Sequence, residues 1–289
     1  MPEIIAHLER VGNDPQWPVD PGLSLLRACG IRGSLSKQGF VKHPLRVAGR
    51  SLWLVGACLW AALGYVVSVW FRGGVPLLTA QALWLQSACR RGLRILNLDL
   101  QTAGSIPLRG LLVSNHLSYL DVLVLSACAP CVFVAKREVR HWPVFGWFAR
   151  LSGTVFVSRE RRTQVAQSSR EIQQALDSGA LVVLFPEGTS SGGGTVLPFK
   201  SSLLEPALRS NHPVTAACIH YELADGDVAE EVCYWKDMTL LPHLLNLLSK
   251  GALRASVSFG EIRSGAPDRK ELARQLHAQV LRLKEAACA

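Results

Sequence analysis

LRGLLVSNHLSYLDVLVLSA (residues 108–127) holds two apolar runs around a polar centre. The first ends in LLVSN (111–115) and has the Leu/Val density of a strand buried on both faces. The second, DVLVLSA (121–127), reads as a buried helix. His116 and Asp121 fall between them, five residues apart. A short buried strand that passes through a polar loop into a helix is the building unit of an α/β fold. It also sets the histidine at a strand end, where open α/β sheets hold their ligands. A neutral imidazole there can take a proton from a hydroxyl, and a carboxylate on its other nitrogen fixes the tautomer and stabilises the imidazolium. The spacing does not put both residues on one face of a regular helix. It works if His116 lies in the loop and Asp121 in the first helical turn. Taken alone, the stretch serves equally as a helix start capped by Ser118 or Asp121.

The same alternation continues downstream. Strands are expected at 131–135 (CVFVA), 153–157 (GTVFV), 181–185 (LVVLF), 212–219 (HPVTAACI), 231–235 (EVCYW) and 252–260 (ALRASVSFG). Helical or amphipathic segments are expected over 119–128, 142–151, 161–177, 201–208 and 268–285, and TLLPHLLNLLSK (239–250) completes the pattern. In the helix at 161–177, Val165, Ile172 and Leu176 share a face and Gly179 supplies the stop. This pattern predicts an α/β domain with a largely parallel sheet flanked by helices.

Upstream, the chain changes character. Residues 1–100 carry 11 Lys/Arg against 5 Asp/Glu, whereas residues 101–289 carry 20 against 17, so two-thirds of the formal charge of +9 lies in the first third. Ser51–Phe71 is 21 residues long, holds three tryptophans and has no charged side chain. That meets the roughly 20 residues needed to cross a bilayer core. Lys42, Arg46 and Arg50 precede it and Arg72 follows. A second apolar segment, Val75–Cys89, carries Gln81 and Gln86, is short for a span and is closed by Arg90 and Arg91. Gly73, Gly74 and Pro76 supply a turn between the two. Positive charge at both outer ends favours one cytoplasmic side for both, hence a re-entrant or interfacial hairpin. A buried core helix is the alternative for 51–71. The apolar run begins too far into the chain for a signal peptide. The division expected is a 1–45 extension of unknown role, a membrane-associated helical hairpin over 46–95, and a catalytic domain over 96–289. The basic balance accompanies the apolar segments and no nucleic-acid motif, so anionic lipid rather than nucleic acid is the expected partner.

Other polar clusters punctuate the strand ends. Lys136, Arg137 and Glu138 follow one strand and Arg159 follows the next. Cations there suit an anionic ligand, though a solvated rim would look the same. FPEGTSSGGG (185–194) follows LVVLF, and its turn exposes a carboxylate and backbone N–H groups. Gly188 and Gly193 have P-loop spacing, but Gly194 stands where the lysine is required, so a nucleotide is not expected. Gly188–Gly192 does fit G-x-S-x-G, which makes a serine hydrolase with Ser190 as nucleophile the rival reading. Pro186, Glu187 and the glycine run are unlike the strand-to-helix turn that such an elbow needs. The eight cysteines are scattered in apolar contexts, and the single Cys128–Cys131 pair lacks a second pair at zinc spacing. No metal is expected.

In this order and spacing, the clusters resemble the glycerolipid acyltransferase family, best known from the 1-acylglycerol-3-phosphate acyltransferases. NHLSYLD (115–121) is similar to its NHxSxxD block, with His116 and Asp121 in the H-x4-D positions. AKREVRHWPVFGWFARLSGTVFVSR (135–159) resembles the second block, FPEGTSS (185–191) the third, and HPVTAA (212–217), loosely, the fourth. The resemblance spans roughly residues 50–265. It implies that His116 is the general base on a lysolipid hydroxyl, with Asp121 orienting it. The hydroxyl attacks the thioester of acyl-CoA or acyl-carrier protein, with no covalent acyl-enzyme, metal or bound organic cofactor. It further implies that Arg159, Glu187, Gly188, Thr189 and Lys136 belong to the substrate site. Ser190 stands where the family usually has an arginine linked to the acceptor phosphate. Phosphatidate synthesis from 1-acylglycerol-3-phosphate is the first expectation, and a lysolipid without a phosphate monoester, such as lyso-ornithine lipid, is the alternative. A non-catalytic membrane-binding protein on the same scaffold is a third reading, disfavoured because both His116 and Asp121 are present.

Overall fold

The structure is a computed structural model that describes residues 43–157, 162–209, 212–262 and 266–288. The expected 1–45 extension lies outside the described residues apart from its last three. Helix α1 (Pro44–Trp70) leads through a glycine turn into α2 (Leu77–Leu96). Strand β1 (Leu98–Ala103), β2 (Gly110–Ser114), α3 (Leu120–Cys128) and β3 (Val132–Lys136) come next. A 3₁₀ turn at Arg137–His141 precedes α4 (Phe145–Leu151), β4 (Val155–Val157), α5 (Arg162–Asp177) and β5 (Leu181–Leu184). The remainder is α6 (Glu205–Arg209), β6 (Val214–Leu223), α7 (Val228–Glu231), α8 (Leu240–Ser249), β7 (Leu253–Ile262) and α9 (Arg269–Cys288).

The seven strands form one sheet in the order β1-β7-β6-β2-β5-β3-β4. Five of them, β6 through β4, run parallel, and β7 pairs antiparallel with β6 and parallel with β1. The largely parallel expectation holds, with two reversed strands added at one edge. Central strands are buried on both faces: every residue of β2 and β5 is buried. One face packs Leu112, Phe133 and Val183 with α2 and α3, and the other packs Leu111, Val182 and Leu184 with Ile172, Leu176 and α9. Each fully buried Val or Leu stabilises by about 1.5–3 kcal/mol. Gly110 has φ +89, and a Cβ there would meet the Pro213 carbonyl oxygen at 2.2 Å, so β2 enters beside β6 only as glycine.

Two elements depart from expectation. EVCYW is not a strand: Asp227 caps the short helix α7 by accepting from the Glu230 N–H, and the chain then turns. Its apolar pair, Val232 and Cys233, is buried against the core from that turn. Strand β1, unforeseen, is an edge strand in which only Leu98 is buried.

Helix α1 is 27 residues long and apolar enough to cross a membrane, and only 6% of its most apolar window is buried. Leu52, Trp53, Leu59, Trp60, Leu63, Trp70 and Phe71 all point outward, so it is not a core helix. One stripe of α1 packs on α2, where Trp84 Nε1 donates to the Ala61 carbonyl at 2.7 Å and the Trp84 ring meets Tyr65 edge-on. Arg46 and Arg50 donate to the Ser249, Leu248 and Lys250 carbonyls, covering the C-terminal end of α8. Helix α2 behaves differently. Gln81, Trp84, Leu85, Gln86, Cys89, Leu93 and Leu96 are buried, and Gln86 donates to the Ala127 carbonyl of α3. The helical pair and the sheet domain thus share one core through α2.

Candidate active site

Strands β2 and β5 are neighbours, but the chain leaves them in opposite directions, β2 toward β3 and β5 toward β6. Such a reversal opens a crevice at the carboxyl ends of the two strands. Leu112 of β2 and Phe133 of β3 both register with Val183 of β5, which sets Asn115, Pro186 and Lys136 on one level. The loops after β2 and β5 therefore face each other across the crevice, one carrying His116 and the other Glu187.

His116 Nδ1 lies 2.7 Å from Asp121 Oδ2. The same oxygen accepts the backbone N–H groups of Leu117 at 2.6 Å and Ser118 at 3.0 Å. Asp121 Oδ1 accepts the Tyr221 hydroxyl at 2.7 Å. Asp121 is fully buried, in the first turn of α3, and these four donors offset the cost of burying it. The carboxylate thus clamps the 116–121 loop, and no side-chain cap is made at this helix start. A carboxylate only accepts, so Nδ1 carries the hydrogen and Nε2 is the basic nitrogen. The imidazole is 23% exposed and lies flat on Phe185, with ring centroids 4.2 Å apart.

Glu187 occupies an inward position. Its Oε1 accepts the His116 N–H at 3.0 Å and its Oε2 accepts the Leu197 N–H at 3.4 Å. It is 2% exposed, and burial pushes its carboxyl up to about 7. It pins the histidine loop to the glycine-rich loop. Gly188, at φ +73, donates to the Phe185 carbonyl at 3.2 Å and closes the turn that makes this possible. Thr189 is exposed beyond it. The Ser191 N–H donates to the His116 carbonyl at 3.0 Å, a second tie between the loops. Asn115 exchanges two bonds with the backbone of Ile219 in β6, at 2.8 and 3.0 Å, fixing the residue before the histidine.

Lys136 is exposed at the end of β3 on the level of Asn115, about 10 Å to its side at two strand spacings. Val157, the last residue of β4, pairs with Lys136, while Arg159 lies outside the described residues. Ser190 directs its hydroxyl at the Tyr234 carbonyl. No helix follows it until the turn at Ser201–Leu203, so the nucleophile-elbow geometry is absent.

A cavity of about 500 Å³ opens beside the loop. Its wall includes Asn115 and Leu117 on either side of His116, Gly192–Gly194, Tyr221, Glu222, Asp227 and Lys284. The Lys284 ammonium donates to the Gly193 and Gly194 carbonyls at 2.6 Å each. Tyr221, Glu222, Asp227 and Lys284 are absent from the sequence-based set. For Tyr221 a signal existed: in a strand entering at Pro213, Ala217, Ile219 and Tyr221 share a face. Lys284, almost a hundred residues beyond the glycine loop, left none.

Residues 100–220 match the acyltransferase family. A lyso-ornithine lipid O-acyltransferase of Brucella abortus is 40% identical over 212 residues, 67% of this chain and 79% of the relative. A 1-acyl-sn-glycerol-3-phosphate acyltransferase of Neisseria meningitidis is 33% identical over 139 residues, 45% of this chain and 54% of the relative. The fold matches the crystal structure of the 1-acyl-sn-glycerophosphate acyltransferase PlsC from Thermotoga maritima with a TM-score of 0.55 at 22% identity, over 83% of this chain and 98% of that one. With His116 and Asp121 joined at the crevice of this fold, the chain belongs to the acyltransferase family and is an acyltransferase of lysolipids.

Proposed function

We propose that His116 Nε2 removes the proton from the free hydroxyl of a membrane lysolipid as that oxygen attacks the thioester carbonyl of acyl-CoA or acyl-carrier protein. The tetrahedral intermediate collapses with loss of the thiolate, which takes the proton back from the imidazolium, giving the acylated lipid and free thiol. Asp121 holds the tautomer and stabilises the imidazolium. The reaction balances without a metal or bound organic cofactor. The 2.7 Å contact between His116 Nδ1 and Asp121 carries this reading, because it leaves Nε2 as the basic nitrogen.

The acceptor proposed is an amino-acid lysolipid of the lyso-ornithine kind. The Brucella abortus relative matches with more identity and over a longer stretch than the glycerophosphate enzyme of Neisseria meningitidis. Ser190, in place of the family's phosphate-linked arginine, is uncharged and bonded to the backbone. Lys136, an exposed cation on the level of Asn115, favours 1-acylglycerol-3-phosphate as the second reading. The outward apolar face of α1 supports seating at a membrane, with the catalytic domain on its cytoplasmic face.

Acyl transfer by the purified protein, with lyso-ornithine lipid and 1-acylglycerol-3-phosphate offered in parallel at equal concentration, tests the assignment. Preferred acylation of the former supports it. Preferred acylation of the latter returns the second reading.

A further inference from the structure

The general base is held by more than its aspartate. Asp121 Oδ2 faces His116 and the two loop N–H groups, and those three donors share a single oxygen. The other oxygen, Oδ1, accepts from one side chain, the Tyr221 hydroxyl at 2.7 Å. Tyr221 is 2% exposed and comes from β6, 100 residues away, where the antiparallel ladder to β7 pairs it with Ala255. The strand that fixes Asn115 through Ile219 also carries Tyr221 two residues on, on the same face. One rigid element therefore sets both ends of the 115–121 loop.

We infer that Tyr221 is a positioning residue for the acyl transfer, locking the Asp121 carboxylate so that Oδ2 alone points at His116. The inference rests on the reading of His116 as general base. A carboxylate held at one end by backbone N–H groups can still rotate about its Cβ–Cγ bond. A bond to Oδ1 from the opposite side removes that freedom. The phenol gives one directed hydrogen bond to a charged acceptor in a site shielded from water, which is a strong one. Tyr221 touches neither reacting atom, so its effect belongs on the chemical step rather than on substrate binding.

Tyr221→Phe removes the hydroxyl and keeps the ring. The expected result is a fall in kcat of roughly 10-fold or more with both KM values unchanged, the scale of losing one hydrogen bond to a charged group. In the proton NMR spectrum, the downfield resonance of the His116 Nδ1–H, bridging to Asp121, moves. A kcat within twofold of the parent with that resonance unmoved overturns the inference, as does a loss confined to KM. Phenylalanine also leaves Oδ1 buried without a donor, so folding is tested separately in an Asp121→Asn background, where no charge is stranded. If Tyr221 acts through Asp121, adding Tyr221→Phe to Asp121→Asn changes kcat by less than twofold. If the two losses multiply, Tyr221 acts elsewhere and the inference fails. His116→Ala keeps the two levels apart: full activity in that variant defeats the general-base reading itself, whatever Tyr221 does.

Discussion

Asp121 Oδ2 lies 2.7 Å from His116 Nδ1 and also holds the Leu117 and Ser118 N–H groups, so one oxygen orders the loop and orients the imidazole. Asp121→Asn should keep most of the loop contacts while losing the charge that fixes the tautomer and stabilises the imidazolium. Turnover is expected to fall by about 10²–10⁴-fold with the protein still folded. Initial rates and a melting curve check it, and undiminished turnover would remove Asp121 from the mechanism.

Ser190 offers a second test. Its hydroxyl donates to the Tyr234 carbonyl. Ser190→Ala is expected to lose about 1 kcal/mol of stability and to keep its turnover. Abolished activity, or labelling of Ser190 by a serine-reactive phosphonate, would favour hydrolase chemistry instead.

Glu187 predicts a pH dependence of stability. Burial raises its carboxyl from 4.5 to about 7. Between those values the folded protein binds more protons than the unfolded chain at this site. The contribution of Glu187 is therefore fully present below about 4.5 and is lost as the pH rises through about 7. Glu187→Gln removes this slope. The difference in melting temperature between parent and variant should shift steadily in favour of the variant from pH 4.5 to 7. A difference that does not change with pH contradicts the assignment.

Helix α1 predicts a membrane-binding defect without a folding defect. Leu59 and Leu63 are 68% and 59% exposed. Leucine burial is worth about 1.5–3 kcal/mol per side chain. L59Q/L63Q should reduce the vesicle-bound fraction in co-sedimentation and leave the melting temperature unchanged. A lowered melting temperature with unaltered binding would make that face part of a protein core.

Much of this arrangement was legible in the sequence, for identifiable reasons. The apolar strands β2 and β5 are buried on both faces, so their Leu/Val runs stand out, and the polar residues that follow them form the candidate site. Strand direction was not legible, because a ten-residue strand such as β7 carries the same side-chain period whether it runs parallel or antiparallel to β6. Strand β1 escaped notice since LDLQTA buries one residue and presents polar groups along an edge. Arg90 and Arg91 looked like the end of the second apolar segment, yet α2 continues beneath them, burying Gly92, Leu93 and Leu96 on the opposite side. Buried Gln81 and Gln86 looked interfacial and proved to be core residues bonded to Tyr65 and Ala127. Glu187 was expected to line the acceptor site; the bonds its carboxylate accepts from the His116 and Leu197 N–H groups were not legible, because the return of the chain at Leu197 is invisible in FPEGT itself.

The most direct measurement is kcat/KM for acyl transfer to the preferred lysolipid by purified parent protein and His116→Ala, side by side in lipid vesicles. A base at Nε2 predicts a loss of roughly 10²–10⁴-fold or more in the variant, with its melting temperature close to the parent's. Undiminished transfer by a folded His116→Ala protein would contradict the account.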